Sequence, residues 1–337
     1  MHTKDFDYDL PEAAIAQEAI EPRDTSRLLV AATMEDMRFS DLPMILEPGD
    51  LLVVNTTRVR AARLIGHRLP GMGRTEILLT QRVDTLRWRA LVRPASRLRS
   101  GSQIQCDGLD VTLMTDPVEG VATVAISTEG DIEEAIAFAG EVPLPPYFKG
   151  TIKDPERYQT LFADRIGSSA APTAALHFTT AVMEGLTDKG IEVATVELEV
   201  GLDTFRPMLD GNVEDHRIHT ERIIVPPETV AAVDAVRNRG GRVVAVGTTV
   251  VRTLESAANG EGRITEFDGP TSLFITPGYR PKVIDAVITN FHAPRTTLLV
   301  LLAALMGDHW KDVYRYALDT GYRFLSFGDA MYFEVDR

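Results

Sequence analysis

Continuous apolar runs alternate with helical patterns through most of the chain. Leu51–Val54 and Val243–Gly247 are short apolar runs of the kind that forms strands covered on both faces. Strand-like patterns recur at Ile191–Val200 and Val283–Thr289, and the almost wholly apolar segment Thr296–Met306 predicts a helix buried on all sides. Strands that alternate with helices indicate a layered α/β domain.

Between about Gly66 and Glu141 the pattern changes to short β-favouring runs separated by Gly, Asp and Pro turns. Repeated short strands of this kind predict a small antiparallel β-barrel. We therefore expect an α/β main domain formed by residues 1–65 and 142–337, with the barrel domain, residues 66–141, inserted into it. The strands expected in the barrel are Glu76–Thr80, Trp88–Val92, Gln103–Cys106, Val111–Met114 and Val121–Ile126.

Three shorter elements complete the expected main domain. The apolar periodicity from Pro11 to about Ala19 predicts a helix, and Leu28–Ala31 has the pattern of a strand. The hydroxyls of Thr179 and Thr180 predict the start of another helix, which Gly190 would end.

Polar residues follow three buried strands where we expect helices to begin, at 55–58, 247–249 and 289–292. Ligands of open α/β sheets bind beyond the carboxyl ends of strands, and helix N-termini there attract anionic groups. Helix capping alone is the alternative reading of any one of these segments. Because each of the three also contains or is soon followed by a basic residue, they favour a polar pocket with affinity for carboxylate or phosphate. The residues concerned are Arg58, Thr248, Arg252, Asn290 and His292.

The segment Gly167–Thr179 is a run of small residues that carries one imidazole, His177. Small side chains allow close approach to the backbone, and Pro172 restricts the conformation of the segment. One interpretation is a packed turn with a hydrogen-bonded core histidine. The other is a ligand-binding loop, including Thr173, in which His177 transfers a proton or donates a hydrogen bond.

Further titratable groups lie at 197–221. Strand alternation puts Glu197 and Glu199 on one face, and His216, His219 and Glu221 follow within a short distance. A His-x-x-His pair without a third ligand at a known spacing is a poor metal signature, so we expect no metal. Hydrogen bonding or acid–base chemistry is the preferred interpretation, with a solvated surface as the alternative.

The chain has 337 residues, which suits two domains, and a formal net charge of −14. This charge argues against unspecific coating of nucleic acid, but arginines cluster at 58–68 and 87–99 and form a candidate phosphate-binding surface. The single cysteine, Cys106, fits a reducing cytoplasm, and no apolar run is long enough to span a membrane. The Rossmann glycine fingerprint, the P-loop and the nucleophile-elbow serine motif are absent from the sequence.

Ordered motifs along nearly the whole chain resemble one family, the S-adenosylmethionine:tRNA ribosyltransferase-isomerases of queuosine biosynthesis. The number of ordered matches makes this resemblance specific. The motifs include Phe6–Pro11, Arg23–Leu28, Asn55–Val59, Gly140–Tyr147, Ala171–Thr173, Leu176–Thr179, Thr204–Pro207, Gly247–Thr249, Arg252–Glu255, Thr289–His292 and Ser326–Met331.

The resemblance implies transfer of the ribosyl moiety of S-adenosylmethionine, as co-substrate, to the 7-aminomethyl-7-deazaguanine base in the tRNA anticodon loop. Epoxyqueuosine forms, and adenine and methionine are released. It further implies that no metal is needed, and we expect a monomer in the cytoplasm. His177, Glu221 and Asp329 are the candidates for proton handling. The candidates for substrate binding are Arg58, Thr173, Glu199, Arg206, His219, Thr248, Arg252, Asn290 and His292.

Two departures from the family pattern keep other functions open. Glu199 and Asp203 stand where the family usually has histidine and glycine, and their negative charges would weaken phosphate binding. One alternative is a paralogous enzyme that uses S-adenosylmethionine on a different, small-molecule acceptor. Another is a non-catalytic RNA- or nucleoside-binding protein.

Overall fold

The computed structural model describes residues 1–150, 152, 154–201 and 207–335. It divides into two compact units, a larger one formed by Met1–Arg58 and Pro145–Arg337 and a smaller one formed by Val59–Leu144. The domain limits expected at residues 65 and 141 stay a prediction. Among the described residues, no helix has the length and apolar character that a membrane crossing requires.

Strands and α-helices are labelled here in chain order. The strands are β1 (Arg27–Val30), β2 (Glu35–Arg38), β3 (Leu51–Asn55), β4 (Thr57–Val59), β5 (Arg63–Leu69), β6 (Gly73–Arg82), β7 (Arg87–Arg93), β8 (Gln103–Cys106), β9 (Leu109–Leu113), β10 (Val121–Ser127), β11 (Gly140–Glu141), β12 (Arg165–Ser168), β13 (Glu192–Leu198), β14 (Glu221–Val225), β15 (Val243–Val246), β16 (Phe267–Thr271), β17 (Ala286–Asn290) and β18 (Ala330–Glu334). The α-helices are α1 (Leu42–Ile45), α2 (Ile132–Ala139), α3 (Thr180–Asp188), α4 (Pro227–Asn238), α5 (Thr248–Ala257), α6 (Thr297–Met306) and α7 (His309–Asp319).

A nine-stranded sheet lies at the centre of the larger unit, in the order β16-β14-β13-β3-β15-β17-β18-β1-β2. Its middle strands β13, β3, β15 and β17 run parallel. Antiparallel pairs flank them, with β14 and β16 beside β13 and with β18 beside β17. Parallel central strands need crossover connections, which the intervening helices supply. The layered α/β class expected from the sequence is confirmed.

Both faces of the central sheet are covered, which explains why its strands are apolar without alternation. On β3, Leu51 and Val53 pack into the core that contains the apolar residues of α5 and α6. Leu52 and Val54 point to the other face, where α3 contributes Val182. Strands buried on both faces read as continuous Val, Ile and Leu runs.

The smaller unit contains a closed antiparallel barrel. Its strands follow the order β5-β6-β7-β10-β9-β8, and β8 pairs with β5 to complete the circle. Side chains from alternate positions fill the interior, among them Ile77, Trp88, Val92 and Val124, each at most 1% exposed. The inserted small antiparallel barrel expected from the sequence is confirmed.

The prediction of a helix from Pro11 to about Ala19 is wrong. Only Glu12–Ala14 form a single 3₁₀ turn. The backbone then pairs with Phe324, since Phe324 N donates to Ala14 O at 2.8 Å and Ala16 N donates to Phe324 O at 3.2 Å. Tertiary pairing therefore replaces the helical hydrogen bonds that the periodicity indicates.

At two of the three places where we expected a strand to lead directly into a helix, the structure differs from the prediction. Strand β4 follows β3 because the Asn55 side chain accepts hydrogen bonds from Leu198 N and Thr57 N and so connects neighbouring strands. After β17, a loop precedes α6, whose first turn is capped by the Thr296 hydroxyl. The transition from β15 to α5 at Gly247 is direct, as expected.

Candidate active site

A pocket with several polar side chains in its lining lies at the carboxyl ends of β15 and β17 in the larger unit, and we call it the polar pocket. Residues from several distant segments of the chain meet there, so the fold assembles it from parts that the sequence separates. Its polar lining includes Tyr147, Thr173, Thr248, Thr249, Asn290, His292 and Ser326.

The N-terminus of α5 opens into the polar pocket. Gly247 precedes the helix with φ +87°, a conformation that favours glycine, and no side chain among the described residues caps this end. Val250 N donates to Gly247 O, which leaves the Thr248 and Thr249 N–H groups of the first turn available to a ligand. The Thr249 hydroxyl is buried and has no hydrogen-bond partner among the described residues, which adds a second donor beside them.

Asn290, the last residue of β17, is held by three hydrogen bonds. Its Oδ1 accepts from the Thr173 hydroxyl at 2.9 Å, and its Nδ2 lies 3.0 Å from His177 Nε2 and 3.2 Å from Asp329 O. Residues from three other segments thereby fix the orientation of the amide at the pocket wall.

His177 lies behind Asn290 and is 5% exposed. Its Nδ1 is 2.7 Å from the Ser26 hydroxyl, and its ring stacks on Phe39 with centroids 5.0 Å apart. Because Asn290 Nδ2 donates to Nε2, the ring proton belongs on Nδ1. Burial, followed by the charges of nearby arginines, lowers the pKa of His177 to about 3. The imidazole is therefore neutral and hydrogen-bonded at both nitrogens.

The Asp329 carboxylate accepts hydrogen bonds from backbone N–H groups near the pocket. Its Oδ1 accepts from Arg27 N at 3.1 Å, its Oδ2 accepts from Arg323 N at 2.8 Å, and the group is 2% exposed. The carboxylate thus connects β1 to the turn before β18. The backbone carbonyl of Asp329 accepts a hydrogen bond from Asn290 Nδ2.

His292 reaches the pocket directly. Its Nε2 lies 3.0 Å from the Thr289 hydroxyl, and its backbone is fixed by Tyr314 and Tyr8, since His292 N donates to Tyr314 Oη and Tyr8 Oη donates to His292 O. Desolvation lowers the pKa of His292 to about 3. A neutral imidazole at the pocket wall can accept a hydrogen bond or a proton.

Tyr147 and Ser326 also line the pocket and hydrogen-bond to each other. Burial raises the pKa of Tyr147 to about 12, so it stays a neutral hydroxyl. Sequence reasoning did not single out either residue, although both lie inside motifs that carry the family resemblance. Their place at the site depends on long-range packing that no local pattern reports.

A second cavity of about 320 Å³ shares Leu298 with the polar pocket. We call it the Arg252 cavity. Arg252 forms an ion pair with Glu221, which also accepts from Gly201 N at 2.9 Å. His216 and His219 lie in the same lining, and burial, followed by the His219 charge, lowers the pKa of His216.

Two expected site residues lie elsewhere in the larger unit. Arg58 forms an ion pair with Glu156, and the Glu199 carboxylate lies 3.7 Å from Arg222. Among the described residues, neither belongs to the lining of the polar pocket or the Arg252 cavity. Arg206 and Asp203 lie outside the described residues.

Thr173, Thr248, Asn290 and His292 therefore meet at the polar pocket, and His219, Glu221 and Arg252 meet at the Arg252 cavity. Within the part of the chain that the structure describes, no group of three or more His, Cys, Asp or Glu side chains could hold a metal ion.

Comparison with known proteins gives concordant results. A family model described as queuosine biosynthesis protein matches residues 3–333. A Symbiobacterium thermophilum protein is 47% identical over 338 residues, 98% of this chain and 99% of its own, and a Moorella thermoacetica protein is 47% identical over 343 residues. Both are named S-adenosylmethionine:tRNA ribosyltransferase-isomerase. The crystal structure of S-adenosylmethionine tRNA ribosyltransferase from Thermotoga maritima is 37% identical and covers 97% of this chain and 99% of its own, with a TM-score of 0.56.

Proposed function

The chain belongs to the queuosine biosynthesis protein family, and from that membership we propose that it is an S-adenosylmethionine:tRNA ribosyltransferase-isomerase. It transfers the ribosyl moiety of S-adenosylmethionine to the 7-aminomethyl-7-deazaguanine base of tRNA, forms epoxyqueuosine, and releases adenine and methionine. The observation that carries this proposal is the match of the family model across residues 3–333.

The polar pocket is the proposed site for the nucleoside part of S-adenosylmethionine. The unpartnered Thr249 hydroxyl and the N-terminus of α5 offer hydrogen bonds at one wall, and the Asn290 amide oxygen has one acceptor position left. A ribose carries several hydroxyls and a purine carries ring nitrogens, so both need directional polar partners in a largely apolar site.

His292 is the proposed proton acceptor of the pocket. Carbon 5′ of S-adenosylmethionine lies beside a sulfonium, which makes its protons unusually acidic, and the neutral imidazole is the form of histidine that can accept one. His177 and Asp329 are proposed to position Asn290, because their polar atoms bind groups of the protein. Direct proton handling by His177, Asp329 and Glu221 stays a prediction.

The anticodon loop of tRNA is the proposed macromolecular partner. On β7 of the smaller unit, Arg89 and Arg93 are exposed while Trp88 and Val92 fill the barrel. Exposed arginines on one strand face suit contacts with a phosphate backbone. The proposal also includes a monomer in the cytoplasm that works without a metal.

The charge of Glu199 does not require a different acceptor. Arg222 lies 3.7 Å from its carboxylate and forms a second ion pair with Asp268. A cation that is shared with Asp268 therefore lies beside the charge that led us to consider a small-molecule acceptor. The tRNA acceptor is the one that the family match favours.

Mass spectrometry of nucleosides tests the proposal. Purified protein with S-adenosylmethionine and tRNA that carries the aminomethyl-deazaguanine base should yield the epoxyqueuosine nucleoside, with one adenine and one methionine per modified base. The same tRNA with guanine at that position is the matched control and should yield none of the three. Release of adenine and methionine without modified tRNA would instead indicate another acceptor.

A further inference from the structure

The Arg252 guanidinium is almost fully buried yet incompletely satisfied. Its side chain is 8% exposed. Nη1 binds Glu221, and Nε donates to Leu273 O at 3.2 Å. Nη2 is buried and has no hydrogen-bond partner among the described residues. A buried charged donor without a partner is unfavourable, so its presence beside a cavity points to an anionic ligand group.

The surroundings of this nitrogen narrow the ligand. Guanidinium groups bind carboxylates with good geometry, and the Glu221 carboxylate beside Arg252 favours a cation. A group that carries both charges on neighbouring atoms supplies the missing partner of Arg252 Nη2 and places its cation beside the Glu221 carboxylate. The rest of the cavity wall is largely apolar and includes Leu273, Ile275 and Leu301. An α-amino acid with an unbranched apolar side chain combines these features.

We propose that the Arg252 cavity binds the methionine half of S-adenosylmethionine. The α-carboxylate contacts Arg252 Nη2, the α-ammonium lies on the Glu221 side, and the methylene chain runs along the apolar wall to Leu298. Since Leu298 also lines the polar pocket, the chain delivers the sulfonium to the boundary of the two cavities and carbon 5′ to the polar pocket. This inference rests on the proposed function and assigns the binding of its co-substrate.

Isothermal calorimetry on the full chain tests the assignment with two probes. S-adenosyl-L-homocysteine carries the amino acid group, whereas 5′-methylthioadenosine lacks it. Arg252→Lys keeps the positive charge beside Glu221 but removes the second terminal nitrogen. We expect it to weaken S-adenosyl-L-homocysteine binding by roughly 10- to 100-fold and to leave 5′-methylthioadenosine within about twofold. Equal weakening of both probes would overturn the assignment.

Arg242→Lys is the matched control. Arg242 also pairs with a buried carboxylate, Asp50, but lies outside the lining of both cavities among the described residues. It should change neither affinity. Thr297→Phe, which narrows the Arg252 cavity from the first turn of α6, should reproduce the selective loss if Arg252→Lys does not fold. L-methionine should compete with S-adenosyl-L-homocysteine in the wild type, and a lack of competition would also overturn the assignment.

These measurements use no tRNA, so they separate the inference from the proposed function. Selective loss in Arg252→Lys without any tRNA product would support the amino acid site and reject the tRNA reaction. Formation of epoxyqueuosine with equal loss of both probes would support the reaction and reject the site.

Discussion

At the scale of single residues, the candidate site depends on groups that are buried and neutral. His177 binds Ser26 and Asn290, and Asn290 in turn presents its amide at the polar pocket. A charged imidazole could not accept from Asn290 Nδ2, because both of its nitrogens would be donors. The hydrogen bond that orients Asn290 at the pocket therefore requires the neutral form of His177.

This neutrality predicts a loss of stability in acid. The folded pKa of His177 is about 3, whereas an unfolded histidine titrates near pH ~6.5. The His177 contribution is complete above the unfolded value and falls as the pH decreases, because only the unfolded chain then binds the proton. Between about pH 6.5 and pH 5 it should remove up to about 2 kcal/mol from the free energy of unfolding.

Urea denaturation of the wild type and of His177→Gln at both pH values measures this contribution. The variant should lose less stability on acidification than the wild type. His67→Gln, at an exposed position of the barrel, controls for the removal of one imidazole. An identical loss in the wild type and in His177→Gln would contradict the assignment of a neutral buried imidazole.

Sequence patterns identified the residues of the polar pocket that end strands or begin helices. Thr248, Asn290 and His292 follow apolar strands, and their place at the carboxyl edge of a parallel sheet follows from topology. Tyr147 and Ser326 come from segments without regular structure, so no periodicity predicts their position. Whether a polar side chain such as His177 faces the pocket or the core depends on packing between distant segments.

At the scale of elements, closure of the barrel depends on the contact between β5 and β8. Gly66 on β5 faces β8 so closely that an added Cβ would lie 2.5 Å from Gln105 O and 2.6 Å from Cys106 Sγ. The register puts the next residue, His67, opposite Gln105. A side chain at position 66 would therefore push apart the two strands that complete the circle.

Gly66→Ala should destabilise the barrel by about 1–3 kcal/mol through overpacking. Gly73→Ala on β6 is the matched control, since its added Cβ would meet nothing within 4 Å. Thermal unfolding of both variants should show a lower midpoint for Gly66→Ala and a nearly unchanged one for Gly73→Ala. Equal midpoints would show that the strands adjust without cost.

The predicted elements differ in how far they depend on distant partners. The strands β3, β6, β7 and β15 carry their own burial pattern and follow from the sequence. The segment from Pro11 to about Ala19 has helical periodicity, but its backbone pairs with Phe324 instead. Local patterns indicate which face of a segment is buried. They do not indicate a hydrogen-bond partner that lies more than three hundred residues away, because that pairing depends on the whole fold.

At the scale of the whole molecule, the sign of the charge works against binding of RNA. The chain carries a formal net charge of −14, and a polyanion must approach it. Salt screens distant charges within about 10 Å at 0.1 M, so a local group of arginines can bind phosphate despite the total. Exposed Arg89 and Arg93 on β7 form such a group.

The salt dependence of tRNA binding distinguishes this local contact from the effect of total charge. Each phosphate contact contributes about 0.7–0.9 to the slope of log affinity against log salt. Arg89→Gln with Arg93→Gln should therefore lower the slope by about 1–2 and weaken binding at low salt, with the affinity for S-adenosyl-L-homocysteine unchanged. Lys311→Gln with Arg315→Gln removes the same charge from exposed positions of α7. If this control lowered the slope equally, the total charge would govern tRNA binding and β7 would have no special part in it.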